Sequence, residues 1–331
     1  MKFLVVGGAG YIGSHFVDLA RKQNHECVVL DNLSTGHRDS VPSDVEFIEA
    51  DLMDPPALKE ALNKYKPDAV FHFAACSLVG ESVKEPRKYY INNVEGLRNL
   101  LDEMRSYDSD LPLIFSSTCA VFGEPTKLPL SEDDVKRPIS PYGRSKLMAE
   151  FVIEDYAKAY GMKAMALRYF NACGASLDGH IGECHDPETH LIPNVMKAIK
   201  AGKTMNIFGN DFPTKDGTCV RDYIHVYDLS QAHIDAAIVL TKEKKAHFDA
   251  IHLGTGNGYS NLEIVTTIAK VMEVELEINF TERREGDPPA LYANNEKAKK
   301  ILNFNPKYSD LETIIKSAFS WHESHPNGYN S

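Results

Sequence analysis

The chain has 331 residues, of which 43% are hydrophobic and 25% charged, enough for a large core and two lobes around a cleft. A net charge of −11 and an isoelectric point near 5.6 exclude nucleic acid as the main partner, because no basic excess is present to neutralise phosphates. They leave room for an anionic substrate, which a few placed arginines can hold against a distant negative field.

The opening run MKFLVVGGAG is too short for a signal-peptide core and predicts a first strand, Phe3–Val6. Further strands are expected at Glu26–Leu30, Val45–Ile48, Ala69–Phe73, Leu113–Phe115 and Ala164–Leu167. Amphipathic helices are expected at Ile12–Gln23, Ala57–Tyr65, Ser82–Arg105 and Tyr142–Tyr160. This alternation predicts an α/β fold, a Rossmann-type doubly wound parallel sheet with helices on both faces. Beyond Tyr169 the pattern loosens. Loops are expected at Cys173–Thr189 and Gly209–Gly217. Helices are expected at Leu191–Ala201, Val226–Leu240, Leu262–Met272 and Leu311–His322, with a strand at Phe248–Leu253. The expected division is 1–170 for a dinucleotide, with the chain returning around 215–240, and 171–331 mainly for a smaller α/β substrate lobe.

The cysteines (Cys27, Cys76, Cys119, Cys173, Cys184 and Cys219) form no CxxC pair and fit no zinc spacing, so they read as free thiols of a reducing cytoplasm. His180, His185 and His190 recur every five residues, unlike a helical metal pair, and read as loop residues; no metal is expected. No stretch approaches the ~20 apolar residues of a membrane span.

Gly7, Gly10 and Gly13 follow the first strand with GxxGxxG spacing. Glycines there permit a tight turn and let backbone amides and a helix N-terminus approach a pyrophosphate. Asp31 ends the second strand, where a carboxylate can accept hydrogen bonds from an adenosine ribose and repel a 2′-phosphate. That favours NAD over NADP, against the plainer reading of a turn-forming Asp. Asp51 suits the adenine edge or a helix N-cap about equally. Phe73, Ala74 and Ala75 bring small residues to a sheet's carboxyl edge. Ser116, Ser117 and Thr118 close the fifth strand beside the nicotinamide end. Tyr142 and Lys146, four apart in SPYGRSK, share a helix face. Tyrosine is a poor base near its ordinary pKa of about 10. Lys146 together with an oxidised nicotinamide is expected to favour the phenolate.

GGAGYIGSH, HFAA, YYINNV, FSST…VFG, SPYGRSK, RYFNACGA, THLIPN, FGNDFPTKDGTCVRDYIHV, RREGDPPALYA and WHESHPNGY together span nearly the whole chain. In these blocks it resembles the extended short-chain dehydrogenase/reductase superfamily and, within it, the UDP-hexose 4-epimerases. The resemblance implies tightly bound NAD, a UDP-sugar substrate and a homodimer formed by a helix pair on the dinucleotide side. By motif it implies NAD contacts from Gly7, Gly10, Tyr11, Ile12, Gly13, Asp31, Asn32, Asp51, Leu52, Phe73, Ala74, Ala75, Asn92, Lys146 and Tyr169. Thr118 and Tyr142, with Lys146, are implied as catalytic. Asn171, His190, Leu191, Phe208, Arg221, Tyr223, Arg284, Asp287 and Leu291 are implied as substrate contacts. Three positions depart from the pattern. Ser77 is Lys in some relatives, His190 stands where many carry Asn, and Leu291 occupies the position that gates the sugar pocket.

The reaction so implied is reversible inversion at carbon 4 of a UDP-hexose through a 4-keto sugar, with UDP-N-acetylhexoses or UDP-uronates as nearer substrate rivals. A sugar-nucleotide dehydratase or decarboxylase would need an acid after the strand-end Thr, where this chain has Cys119 and Ala120. A non-catalytic NAD sensor would be expected to lose Tyr142 or Lys146, and both are present.

Overall fold

The computed structural model describes residues 1–284 and 288–329. Its central feature is a parallel sheet of seven strands. In chain order they include β1 (Lys2–Val6), β2 (Glu26–Asp31), β3 (Glu46–Glu49), β4 (Ala69–His72), β5 (Leu113–Thr118) and β6 (Lys163–Tyr169). Across the sheet the order is β3-β2-β1-β4-β5-β6, and the strand His247–Leu253 lies outside β6. The order reverses between β1 and β4, which opens a crevice at their carboxyl ends.

Alternation along β1 builds two cores. Phe3 and Val5 face one side with Phe16 and Phe71, while Leu4 and Val6 face the other with Leu97, Leu100 and Phe115. Helices α1 (Tyr11–Lys22) and Val226–Lys242 pack together on the first side. Helix α2 (Pro55–Tyr65) covers the second side, where Leu58 and Leu62 bury.

The expected helix Ser82–Arg105 is not continuous. The chain forms α3 (Val79–Lys84) and α4 (Pro86–Tyr90), then a wide turn at Ile91–Glu95 with π-type bonding, then α5 (Gly96–Tyr107). Pro86 has no backbone N–H and its ring would clash with the preceding turn, so it starts a new helix after Glu85 leaves helical geometry. Helix α6 (Pro141–Tyr160) is continuous. Ser140 caps its start by accepting from the Gly143 amide at 3.2 Å, Pro141 occupies the first turn, and Gly161 ends it in the left-handed region.

After β6 the chain makes β7 (Asn171–Cys173), α7 (Leu191–Lys200), β8 (Met205–Phe208), β9 (Val220–Arg221) and β10 (Tyr223–His225). Then follow α8, the helix Val226–Lys242, and β11, the seventh sheet strand His247–Leu253. β12 (Tyr259–Ser260), α9 (Asn261–Val271), β13 (Ile278–Thr281), β14 (Ala290–Leu291), α10 (Glu296–Leu302) and α11 (Leu311–Ser324) complete the fold. Small sheets pair β7 with β10, β8 with β13, and β9 with β12 and β14. These short strands were not foreseen, because two- and three-residue pairings leave too little periodicity to read. Ile192, Val195, Ile264, Ile268, Ile314 and Ile315 form a separate core beneath α7, α9 and α11. No helix of the described residues is long and apolar enough to cross a membrane.

Candidate active site

The glycine turn is built around contacts that only hydrogen atoms permit. A Cβ on Gly7, whose φ is +80°, would stand 2.4 Å from the Ala74 nitrogen, and one on Gly13 would stand 2.1 Å from the Gly7 carbonyl oxygen. Gly10 caps α1 without a side chain, and no acidic residue lies in the first turn of that helix. Its N-terminal amides and dipole are therefore available to an anion. Tyr11 is half-buried with its hydroxyl donating to the Gly174 carbonyl at 2.6 Å, and Ile12 packs on the first core.

Asp31 is buried at the end of β2. One carboxylate oxygen accepts from the Ala9 amide at 2.9 Å and the other from the Leu33 amide at 2.8 Å. Burial pushes its pKa up, opposed by these two bonds. Asn32 donates to Asp51 at 2.6 Å, joining two of the expected adenosine contacts. Asp51 does not cap α2: it closes a turn onto the Met53 amide at 2.8 Å, and Asp54 accepts from Ala57 in the capping position. Leu52 is buried beneath. Phe73 and Ala74 hydrogen-bond through their amides to the Val6 carbonyl, which holds them and Ala75 against the glycine turn. Ser77 is exposed.

The three hydroxyls ending β5 go to three different places. Ser116 shares a 2.6 Å bond with the Tyr169 hydroxyl. Ser117 donates to Glu150 at 2.6 Å. Thr118 accepts from the Ala120 amide at 3.1 Å and lies by Tyr142, where its hydrogen bond favours the phenolate.

Tyr142 is partly buried at the start of α6. The expected lowering of its pKa is not what the protein's own groups produce. Desolvation raises it well above its ordinary value, Tyr169 and Cys119 add to the rise, and Thr118 opposes. Lys146, one helical turn on, is almost wholly buried with its Nζ 4.3 Å from the centre of the Phe115 ring. Desolvation lowers its pKa to about 7, opposed by Glu150. Burial thus weakens the positive charge that Lys146 presents to the phenol.

Several residues that organise this cluster were not singled out in the sequence. Glu150 lies four residues after Lys146, so helical spacing alone would have put it on that face. Arg168, opposite Ser117 in the β5–β6 register, binds Glu150. Asn93 accepts from the Cys76 amide and donates to Ser145 at 3.0 Å, tying the loop after β4 to the Tyr142 helix, and Asn92 donates to Asn93 at 2.9 Å.

The second set of expected residues gathers on the smaller lobe. Asn171 donates to the Asp222 carbonyl at 2.9 Å, and the buried Tyr223 follows on β10. Arg221 donates to the carbonyls of Val220 and Pro288, both at 2.9 Å, and pairs in register with Leu291. Leu291 also packs against the group formed by Phe122, Leu130 and Leu147. The Arg284 guanidinium stacks 3.9 Å from the centre of the Phe208 ring. Leu191 begins α7, and His190 directs Nδ1 at Glu183. Asp287 lies outside the described residues. Asp222, between Arg221 and Tyr223, is the buried anchor of this lobe: its carboxylate accepts from the amides of Thr255, Gly256 and Ala293.

His185 and His190 lie in a loop, as read, yet the loop folds so that their rings converge with Glu183 and Glu188. Side chains five apart in sequence can meet in a folded loop although they could not on one helix face.

The profile of the GDP-mannose 4,6 dehydratase family matches residues 4–317. A UDP-glucose 4-epimerase of Lactobacillus helveticus is 48% identical over 99% of this chain and 99% of its own length. Among solved structures, the Brucella ovis UDP-glucose 4-epimerase in complex with NAD is 49% identical, covers 97% of this chain and 98% of its own, and superposes with a TM-score of 0.92. The Bifidobacterium longum UDP-glucose 4-epimerase in complex with NAD+ and UDP is 32% identical, with 99% and 100% coverage and a TM-score of 0.90. With identity of this order along the whole length, from the glycine turn to the last helix, the chain belongs to the UDP-glucose 4-epimerase family.

Proposed function

We propose that the protein interconverts UDP-glucose and UDP-galactose by inverting carbon 4, with NAD as a tightly held cofactor. The observation that carries this reading is the convergence at the end of β5. The Thr118 hydroxyl and the Tyr142 phenol meet there, Lys146 is one turn away, and the open glycine turn lies across the sheet crevice.

Gly7, Gly10, Tyr11, Ile12 and Gly13 would hold the pyrophosphate. Asp31, Asn32, Asp51 and Leu52 would hold the adenosine end. Phe73, Ala74, Ala75, Asn92, Lys146 and Tyr169 would hold the nicotinamide end. When bound, NAD supplies the acceptor and then the donor for the carbon-4 hydrogen. Tyr142 takes the 4-hydroxyl proton and later returns it, while Thr118 hydrogen-bonds the same oxygen and steers it. Because burial holds the phenol protonated in the protein alone, ionisation of Tyr142 is coupled to cofactor charge.

Asn171, His190, Leu191, Phe208, Arg221, Tyr223, Arg284, Asp287 and Leu291 would anchor the UDP-sugar. Many nucleotide contacts and few sugar contacts suit a keto sugar that must turn over while its nucleotide stays in place. In this division residues 1–170 serve the cofactor, with α8 and β11 completing that layer, and the rest of 171–331 serves the substrate. The dehydratase reading is disfavoured because Cys119 and Ala120 stand where its extra acid would be.

A homodimer through α3–α5 and α6 is part of the proposal, supported by exposed Val79, Val83, Met148 and Phe151 on those helices. Six free cysteines suit a cytoplasmic setting. The test is incubation with UDP-galactose and, separately, UDP-N-acetylgalactosamine, without added NAD, with products resolved by proton NMR. Conversion of UDP-galactose to UDP-glucose is expected. Failure to convert it, even with NAD added, would overturn the reading.

A further inference from the structure

Glu183, His185, Glu188 and His190 occupy the segment that joins β7 to α7, and one nitrogen or oxygen from each lies within 4.8 Å of the others. His185 Nδ1 stands 3.2 Å from Glu183 Oε1 and 3.9 Å from Glu188 Oε1. His190 Nδ1 stands 3.6 Å from Glu188 Oε1 and contacts Glu183 Oε1 directly. Donors at about 2.0–2.2 Å from a tetrahedral ion stand roughly 3.3–3.6 Å apart. Three of these separations lie near that range, and an ion would replace the proton in the fourth, the hydrogen bond between His190 and Glu183.

Burial supplies an independent reason to look for an ion. The side chains of Glu183 and Glu188 are only 7% and 4% exposed. His185 Nδ1 and Glu188 Oε2 are fully enclosed and make no hydrogen bond. The 3.2 Å approach of His185 to Glu183 is an ion-pair distance without hydrogen-bond geometry. Enclosed polar atoms without partners are costly, and two of them here belong to residue types that ligate metals. The frame around them is well bonded. Trp321 donates to the Glu183 carbonyl at 3.2 Å, and Glu188 Oε1 accepts from the amides of Thr189 and His190 at 2.8 and 2.9 Å. Such outer contacts hold ligands in place.

We propose that these four residues bind one divalent cation of the zinc class. Two imidazole nitrogens and two carboxylate oxygens form a closed four-ligand set, and the two carboxylates balance the ion's charge. The role is structural. The ion closes residues 183–190 onto the start of α7, where Leu191 begins, and onto the cofactor turn through the Tyr11 ring, 6.1 Å from that of His185. None of the reacting groups around Tyr142 is a ligand. His190 is also among the proposed UDP contacts, so it would offer Nδ1 to the ion and keep Nε2 for the nucleotide; the test uses His185 and Glu188, which the epimerase reading does not use.

The full-length protein is stripped with a chelator, reloaded with zinc chloride, desalted and analysed by mass spectrometry for metal, with cobalt(II) chloride as a spectroscopic probe. One zinc per chain and visible absorption of tetrahedral cobalt, abolished by added zinc, are expected; these readings need no variant. His185→Gln and Glu188→Gln are expected to lower retention at least about tenfold. His180→Gln, in the same loop but outside the cluster, is expected to retain the ion in full. Retained NAD and circular dichroism check that each variant is folded. A desalted wild type without zinc and without tetrahedral cobalt bands would overturn the proposal. So would folded His185→Gln that keeps wild-type zinc.

Discussion

Arg168 grips Glu150 at two points, Nε to Oε1 at 2.9 Å and Nη2 to Oε2 at 2.6 Å, in a pair almost completely removed from water. Glu150 also accepts from Ser117, the neighbour of Thr118 on β5, and lies one turn beyond Lys146 on α6. The pair therefore joins β5, β6 and α6 just beneath the proposed reacting groups.

Glu150→Ala leaves the Arg168 guanidinium buried and unpaired. A loss of about 3–5 kcal/mol in unfolding free energy is expected, measured by urea denaturation. Replacing both partners by apolar residues is expected to cost less than the single change. Glu150→Gln also removes the charge that raises the Lys146 pKa, so any lysine-dependent limb of the pH–rate profile moves to lower pH. An unmoved limb would show that Glu150 braces the site without tuning it.

Tyr142→Phe is expected to reduce kcat by about 100- to 10,000-fold, the usual weight of a general acid–base group, while the purified variant still carries NAD. Thr118→Val is expected to fall within the same range but less steeply. Absorbance and mass spectrometry of the released cofactor check occupancy. Near-normal turnover in Tyr142→Phe would remove the phenol from the mechanism.

Lys146 is expected to give the cofactor-free protein an unusual pH dependence. Its pKa falls from 10.5 to about 7 on folding, so between those values the unfolded chain holds a proton that the folded chain does not. Stability from this group therefore rises with pH through that window, and the burden of the buried charge is fully felt only below it. Lys146→Met is expected to flatten that slope, read by denaturation of the NAD-stripped protein at several pH values. An unchanged slope would mean that Lys146 stays solvated.

Gly7→Ala is expected to strain a left-handed position by at least about 1–2 kcal/mol and to push its Cβ into the Ala74 backbone. NAD should be lost on gel filtration while the smaller lobe, with its separate core, stays folded. Full cofactor retention in this variant would contradict the close packing of the turn.

Leu291 pairs in register with Arg221 and touches the apolar group around Phe122 and Leu147, so its bulk bears on the side of the substrate lobe facing α6. Leu291→Tyr is expected to reduce turnover of UDP-N-acetylgalactosamine relative to UDP-galactose by about tenfold or more, and Leu291→Ser to raise it. A ratio unmoved by either change would place the sugar gate elsewhere.

Local spacing carried much of the first half of the molecule. Apolar alternation along Phe3–Val6, the glycines at Gly7, Gly10 and Gly13, and the four-residue step from Tyr142 to Lys146 are readable because each depends on neighbours within one turn or one strand. The helix Ser82–Arg105 misled because its apolar pattern continues through Pro86, and backbone geometry overrides pattern there. The short strands of the smaller lobe were hidden because their partners, such as Arg221 and Leu291, are far apart in sequence.

The sequence by itself determined most of the sheet and the glycine turn, and it marked Tyr142, Lys146 and Thr118 as the proposed reacting side chains, since these follow from residue type and local period. Only the tertiary structure decided what surrounds those side chains. Glu150 and Arg168 meet across two elements, burial shifts Tyr142 and Lys146 in opposite directions, and a loop draws Glu183, His185, Glu188 and His190 together. Desolvation and ligand convergence depend on the packing of distant segments, which no local spacing records.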